Sequence, residues 1–151
     1  MSKTWKSQER KLAKLLDTWW GTDKEFRRTP MSGAWDKRKF GGDIVTPNDC
    51  PFIFEMKTEA DWEFRTVLST KSVHNLFHSA TEQVIIDAKQ CRKIPVLVFT
   101  SNNRPVYFGF SWGVWKYFLK AVPDLRTVPY LVVFTGKYHW AFVECCRASM
   151  K

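Results

Sequence analysis

The segment GGDIVTPNDCPFIFEMK, residues 41–57, decides how the rest of the chain is read. It holds two apolar runs, Asp43–Thr46 and Phe52–Lys57, joined by the turn-forming residues Pro47 to Pro51. Both read as β-strands, yet Asp43 opens the first and Glu55 and Lys57 lie in the second. Charges rarely enter apolar strands without an ion partner, a metal or solvent to compensate them. Residues two apart on a strand share a face, so Glu55 and Lys57 point one way and Phe54 and Met56 the other. Pairing of the two strands as a hairpin would set Asp43 near the end where Glu55 and Lys57 emerge. Two carboxylates brought together repel each other unless a cation bridges them. All-oxygen ligands suit Mg²⁺, with Mn²⁺ as its substitute. A lysine beside such an ion can orient an attacking water or stabilise charge on a phosphoryl group. The bland alternative is a surface hairpin carrying a Glu55–Lys57 ion pair.

Upstream, Ser7 to Trp20 carries Leu12, Leu15, Leu16, Trp19 and Trp20 at helical spacing, with Gly21 as a stop. Lys24 to Thr29 is a short strand candidate, followed by a loop rich in Gly, Ser, Pro and charge. Downstream, Ser72 to Arg92 repeats apolar residues at three and four and predicts a long helix. Ile94 to Thr100 is a continuous apolar run of the kind buried at the centre of a sheet. Arg104 to Phe110 follows as a strand, Ser111 to Ala121 as a third helix, and Val128 to Glu144 as a hairpin around Thr135-Gly136. The order α-β-β-β-α-β-β-α-β-β predicts a mixed sheet flanked by helices, an α/β or α+β domain.

With 151 residues, 44% of them hydrophobic, the chain can bury a core without staples. It bears 24 basic residues against 15 acidic ones, a formal charge of +9. Residues 1–42 hold 11 of the bases and 5 of the acids, so +6 of that charge precedes Asp43. Such an excess favours a polyanionic partner, nucleic acid before anionic membrane. No apolar run approaches the roughly 20 residues of a membrane span, and the start of the chain is too charged for a secretory signal. The four cysteines form no C-x-x-C pair, which points to reduced, buried thiols in a cytoplasmic or nucleoid-associated protein that is not secreted.

Asp43 followed by Glu55-x-Lys57 resembles the signature of the PD-(D/E)XK nuclease superfamily, with Gly42 standing where the signature has proline. Within it, the order of features is similar to that of Holliday-junction resolvases. Their opening helix matches Glu9-Arg10-Lys11-Leu12-Ala13-Lys14-Leu15-Leu16. A strand ending in arginine, Phe26-Arg27-Arg28, then leads to a small-residue loop with Ser32-Gly33-Ala34. The buried strand after the second helix matches Ile94 to Phe99, and the likeness runs from about residue 5 to 100.

The resemblance implies a restriction-endonuclease-like α/β fold. It implies one nuclease domain over residues 1–151, with a core at about 5–108 and a C-terminal extension at 109–151. Asp43 and Glu55 would bind the metal, with Glu9 reaching the same site directly or through a metal-bound water. Lys57 would serve the nucleophilic water, Ser32 would approach the scissile phosphate, and Gln83 would face the site from the second helix. Arg27, Arg28, Lys37, Arg38 and Lys39 would grip the DNA backbone, a contact that is sequence-independent and salt-sensitive. Two symmetric cuts in a four-way junction would require a C2 homodimer. Duplex- or flap-cutting nucleases share this site, and a non-catalytic DNA-binding protein shares the fold.

Other features have blander readings beside the sharper ones. Glu9 also suits the first turns of a helix through the helix dipole. His74 and His78 share a helical face at a zinc-compatible spacing, but no third ligand is spaced to match. Trp19, Trp20, Trp112 and Trp115 can stack on unpaired bases, although their apolar neighbours favour a core or a dimer interface.

Overall fold

The computed structural model describes residues 2–29, 43–59, 71–101, 106–135 and 138–144. The first helix, α1 (Ser2–Trp20), starts earlier than its apolar spacing suggested. It ends where Gly21 takes φ +77°, and the Thr22 N–H closes back on the Asp17 carbonyl at 2.9 Å. That is the left-handed cap at which glycine is unstrained. Two short strands follow, β1 (Arg27–Arg28) and β2 (Ile44–Val45), then the longer β3 (Phe52–Glu59). Helix α2 (Lys71–Cys91) carries the chain back to β4 (Ile94–Ser101), which lies parallel to β3. A parallel neighbour requires such a crossover. Strand β5 (Tyr107–Ser111), helix α3 (Trp112–Ala121), a 3₁₀ turn at Pro123–Thr127, β6 (Tyr130–Thr135) and β7 (Tyr138–Glu144) complete the order.

The main sheet runs β3-β4-β5-β7-β6, antiparallel everywhere except between β3 and β4. With helices on its faces it is a mixed α/β sheet of the restriction-endonuclease-like kind. The final strand pair continues this sheet, and β5 itself spans residue 108. Alternation along the strands divides the core into two layers. Ile53, Leu97, Phe99, Trp140 and Phe142 meet Ala80, Val84 and Ala88 of α2. Phe54, Met56, Val96 and Val98 meet Leu12, Ala13 and Leu16 of α1, with Phe26 and Ile44. The far end of the second layer is closed by α3, where Phe110 stacks on Trp115 at 6.0 Å and meets Phe118 edge-on at 5.4 Å.

One pairing differs from the sequence expectation. Strand β2 does not form a hairpin ladder with β3; it pairs antiparallel with β1, Arg27 opposite Val45 and Arg28 opposite Ile44. The intervening loop turns instead of folding the strands together. Cys50 N–H donates to the Pro47 carbonyl, while Lys93 Nζ reaches Thr46 Oγ1 at 2.7 Å and the Pro47 carbonyl at 3.2 Å. The tryptophans also divide. Trp115 is core, as its apolar neighbours suggested, and so is Trp140, but Trp19 is 55% exposed. Cys50 is buried and Cys91 partly so, both as free thiols. No helix among the described residues is long and apolar enough to cross a membrane.

Candidate active site

Glu55 is the residue around which the site is built. It lies in mid-strand on β3 opposite Leu97, and only 1% of it is exposed. The Lys57 ammonium approaches Glu55 Oε1 at 3.7 Å, from a side chain one-third exposed. This distance is beyond hydrogen bonding, so the contact is Coulombic. Strand alternation aims both residues to the α2 side of the sheet while Phe54 and Met56 pack toward α1, as the two-residue spacing predicted.

Asp43 reaches the same place by a route other than a hairpin. Its N–H donates to the Phe54 carbonyl at 2.9 Å, and its Oδ2 accepts the Met56 N–H at 2.8 Å. The carboxylate thus takes a bond that the backbone of a continuing strand would otherwise make. It is held on the peptide that follows Glu55, at the free edge of β3. On its other side the Asp43 carbonyl accepts from Thr29 N–H at 2.9 Å, which ties β1 to the same point.

Glu9 and Arg28 form a charge-assisted pair next to this edge, Arg28 Nε to Glu9 Oε2 at 2.6 Å, both mostly buried. The acid of α1 is thereby tied to the strand that pairs with β2. Arg27, the next residue along β1, lines a separate open groove of about 940 Å³ with Lys24, Thr46, Asn48 and Lys93. Gln83 is an exposed α2 residue whose amide donates to Asp87 Oδ1 at 3.0 Å. Ser32, Lys37, Arg38 and Lys39 lie outside the described residues, as do the side chains of His74 and His78.

The geometry therefore sets Asp43, Glu55 and Lys57 along β3 and couples Glu9 to Arg28, while Arg27 lines the neighbouring groove and Gln83 is bonded to Asp87 on α2. Among the described residues no group of three or more His, Cys, Asp and Glu is close enough to hold a metal ion. Two buried acids were not singled out from the sequence. Asp87 is the partner of Gln83. Asp17 Oδ1 accepts from Thr22 Oγ1 at 2.7 Å, Phe26 N–H at 2.9 Å and Glu25 N–H at 3.1 Å. That oxygen fastens the end of α1 to the start of β1. An acid amid the apolar Leu15-Leu16-Asp17-Thr18-Trp19 was the available signal.

A five-stranded mixed sheet with Glu-x-Lys on its edge strand β3, and Asp43 hydrogen-bonded to that edge, is consistent with the PD-(D/E)XK nuclease class. Residues 5–131 match the family described as "Phage putative PDDEXK endonuclease", and the chain belongs to that family. No curated protein and no solved structure matches the chain.

Proposed function

We propose that the chain is a metal-dependent DNA endonuclease that hydrolyses phosphodiester bonds at the Asp43–Glu55–Lys57 edge. The carrying observation is the Glu55 carboxylate, 1% exposed within the sheet, with its ammonium neighbour no closer than 3.7 Å. Burying a carboxylate is costly unless cations or hydrogen-bond donors compensate its charge. Asp43 brings a second hard oxygen ligand to the adjoining peptide. Two carboxylates, with waters and phosphate oxygens in the remaining positions, fit Mg²⁺, for which Mn²⁺ would substitute. When bound, the ion polarises the phosphoryl group and lowers the pKa of its water. Asp43 and Glu55 hold it, and Lys57 orients the water or a phosphate oxygen. Glu9 supports the site from α1, while Ser32 approaches the phosphate and Gln83 flanks the site. Arg27, Arg28, Lys37, Arg38 and Lys39 grip the backbone.

The finer reading is resolution of branched DNA, four-way junctions first, by a homodimer. It is supported by the order of motifs from Glu9 through Arg28 and Ser32 to Glu-x-Lys, together with the two cuts that a junction needs. The test offers a four-way junction, a flap and a matched duplex to the wild type and Glu55→Ala, in Mg²⁺, in Mn²⁺ and in EDTA. Paired symmetric nicks confined to the junction, lost in EDTA and in the variant, are expected. Cleavage of duplex or flap would retain the nuclease and remove the junction preference. Binding with no cleavage in Mg²⁺ or in Mn²⁺ would leave a DNA-binding protein on a nuclease fold.

A further inference from the structure

The sheet face covered by α1 and α3 presents a surface that the cleavage edge does not use. Every acid on those two helices is withdrawn from it. Glu9 is bonded to Arg28 and Asp17 to Thr22, Glu25 and Phe26 beyond the helix end, and α3 has no acid at all. Among the described side chains, those exposed on α1 include Arg10, Lys11 and Lys14, with Thr18 and Trp19. On α3 it is Lys116 and Lys120, one turn apart, with Tyr117 between them at 68% exposed.

The two exposed rings belong to one aromatic row. Trp19 packs on Phe52 at 6.2 Å, Phe52 on Phe118 at 6.4 Å, and Phe118 on Tyr117 at 6.3 Å. Phe52 and Phe118 are the half-buried members, so they brace the outer rings from below. Such packing holds Trp19 and Tyr117 at the two ends of one row, with Lys116 and Lys120 on the same helix as Tyr117.

From this arrangement we infer that the α1–α3 face binds an unpaired DNA strand. Its phosphates lie along the lysines and Arg10, and its bases stack on Trp19 and Tyr117. Cationic tracks interleaved with aromatic rings are how proteins hold single strands without reading sequence. A second copy of the chain is the poorer occupant. Under two-fold symmetry the same five cations would face themselves across the contact, and lysine is depleted at protein interfaces. The inference rests on DNA being the substrate, but not on the chemistry of the cut. Glu55 points to the opposite face of the sheet, toward α2. A strand splayed from a branched substrate at the β3 edge would therefore have its own track over α1.

Binding is measured in EDTA, where cleavage cannot contribute, by fluorescence anisotropy. The probes are a labelled oligothymidylate of about 16 nucleotides and a duplex of the same length. Tyr117→Ala and Trp19→Ala are each expected to weaken the single strand about tenfold and the duplex far less, while Tyr117→Phe binds as the wild type does. Replacing Lys116 and Lys120 together by Ala is expected to reduce the slope of log K against log salt by about 1.4. Tyr117 is mostly exposed, so its variants test the surface even if Trp19→Ala unfolds; melting curves verify this. Unchanged single-strand affinity in Tyr117→Ala and in the double lysine variant would overturn the inference. So would a dimer that Tyr117→Ala converts to monomer with affinity intact. A junction-cleavage assay on the wild type in Mg²⁺ reports separately on the catalytic reading.

Discussion

Asp43 Oδ2 accepts the backbone N–H of Met56 at 2.8 Å, which fixes one carboxylate against the peptide that carries the other. This bond is structural as well as chemical, and substitutions separate the two roles. Asp43→Asn keeps an acceptor for Met56 N–H, whereas Asp43→Ala leaves a buried donor unsatisfied. Urea unfolding is expected to show a loss of about 1.5–3 kcal/mol for the alanine variant and under about 1 kcal/mol for asparagine. On the proposed mechanism both abolish cleavage, because neither retains the anionic ligand. An asparagine variant that cuts DNA at the wild-type rate would remove Asp43 from the site.

The Glu9–Arg28 pair is short and mostly shielded, so its members should be energetically coupled. A double-mutant cycle of Glu9→Gln and Arg28→Gln is expected to give a coupling energy of roughly 1 kcal/mol or more, above the range of exposed pairs. Each single change strands a partly buried charge and should cost about 1–3 kcal/mol. Additive effects within about 0.3 kcal/mol would mean that the pair contributes nothing as a pair.

Gly109 is required by space. A Cβ there would stand 2.5 Å from Phe142 Cε1, inside the core layer that packs against α2. Gly109→Ala should destabilise by about 1–3 kcal/mol through overpacking, outweighing the small entropic gain of alanine in a strand. Phe142→Leu in the same chain should recover part of that loss, as thermal melts of the single and double variants would reveal.

Burial pushes the Cys50 thiol above its ordinary value of 9.0, with the nearby Lys93 only partly opposing the shift. The folded state thus favours the neutral thiol. This contribution to stability is complete below the unfolded-state pKa and disappears as pH rises through the higher folded value. Stability is therefore expected to fall from about pH 9 upward, less steeply in Cys50→Ala. Iodoacetamide at neutral pH should label Cys50 far more slowly in the native protein than in urea, with peptide mass spectrometry reading the site.

Periodicity along the chain determined the element order, since each element's apolar spacing is local. Leu12, Leu15 and Leu16 could only make one face of a helix, and the alternation Ile53-Phe54-Glu55-Met56-Lys57 could only divide between two layers. The same alternation put Glu55 and Lys57 on one face, and the Asp with Glu-x-Lys pattern by itself indicated the nuclease superfamily. Pairing was decided by the tertiary structure, because hydrogen-bond partners distant in sequence leave no periodic trace. That is why β2 joins β1, and why Asp43 uses its side chain where a hairpin partner would use its backbone. Exposure was decided there too. Trp19 and Trp115 look alike in sequence, yet Trp115 is sealed beneath Phe110 and Tyr130 while Trp19 stands at the rim of the sheet. Asp17 and Glu9 are both acids on one helix. Only the fold reveals that one fastens a helix end and the other holds an arginine beside the candidate site.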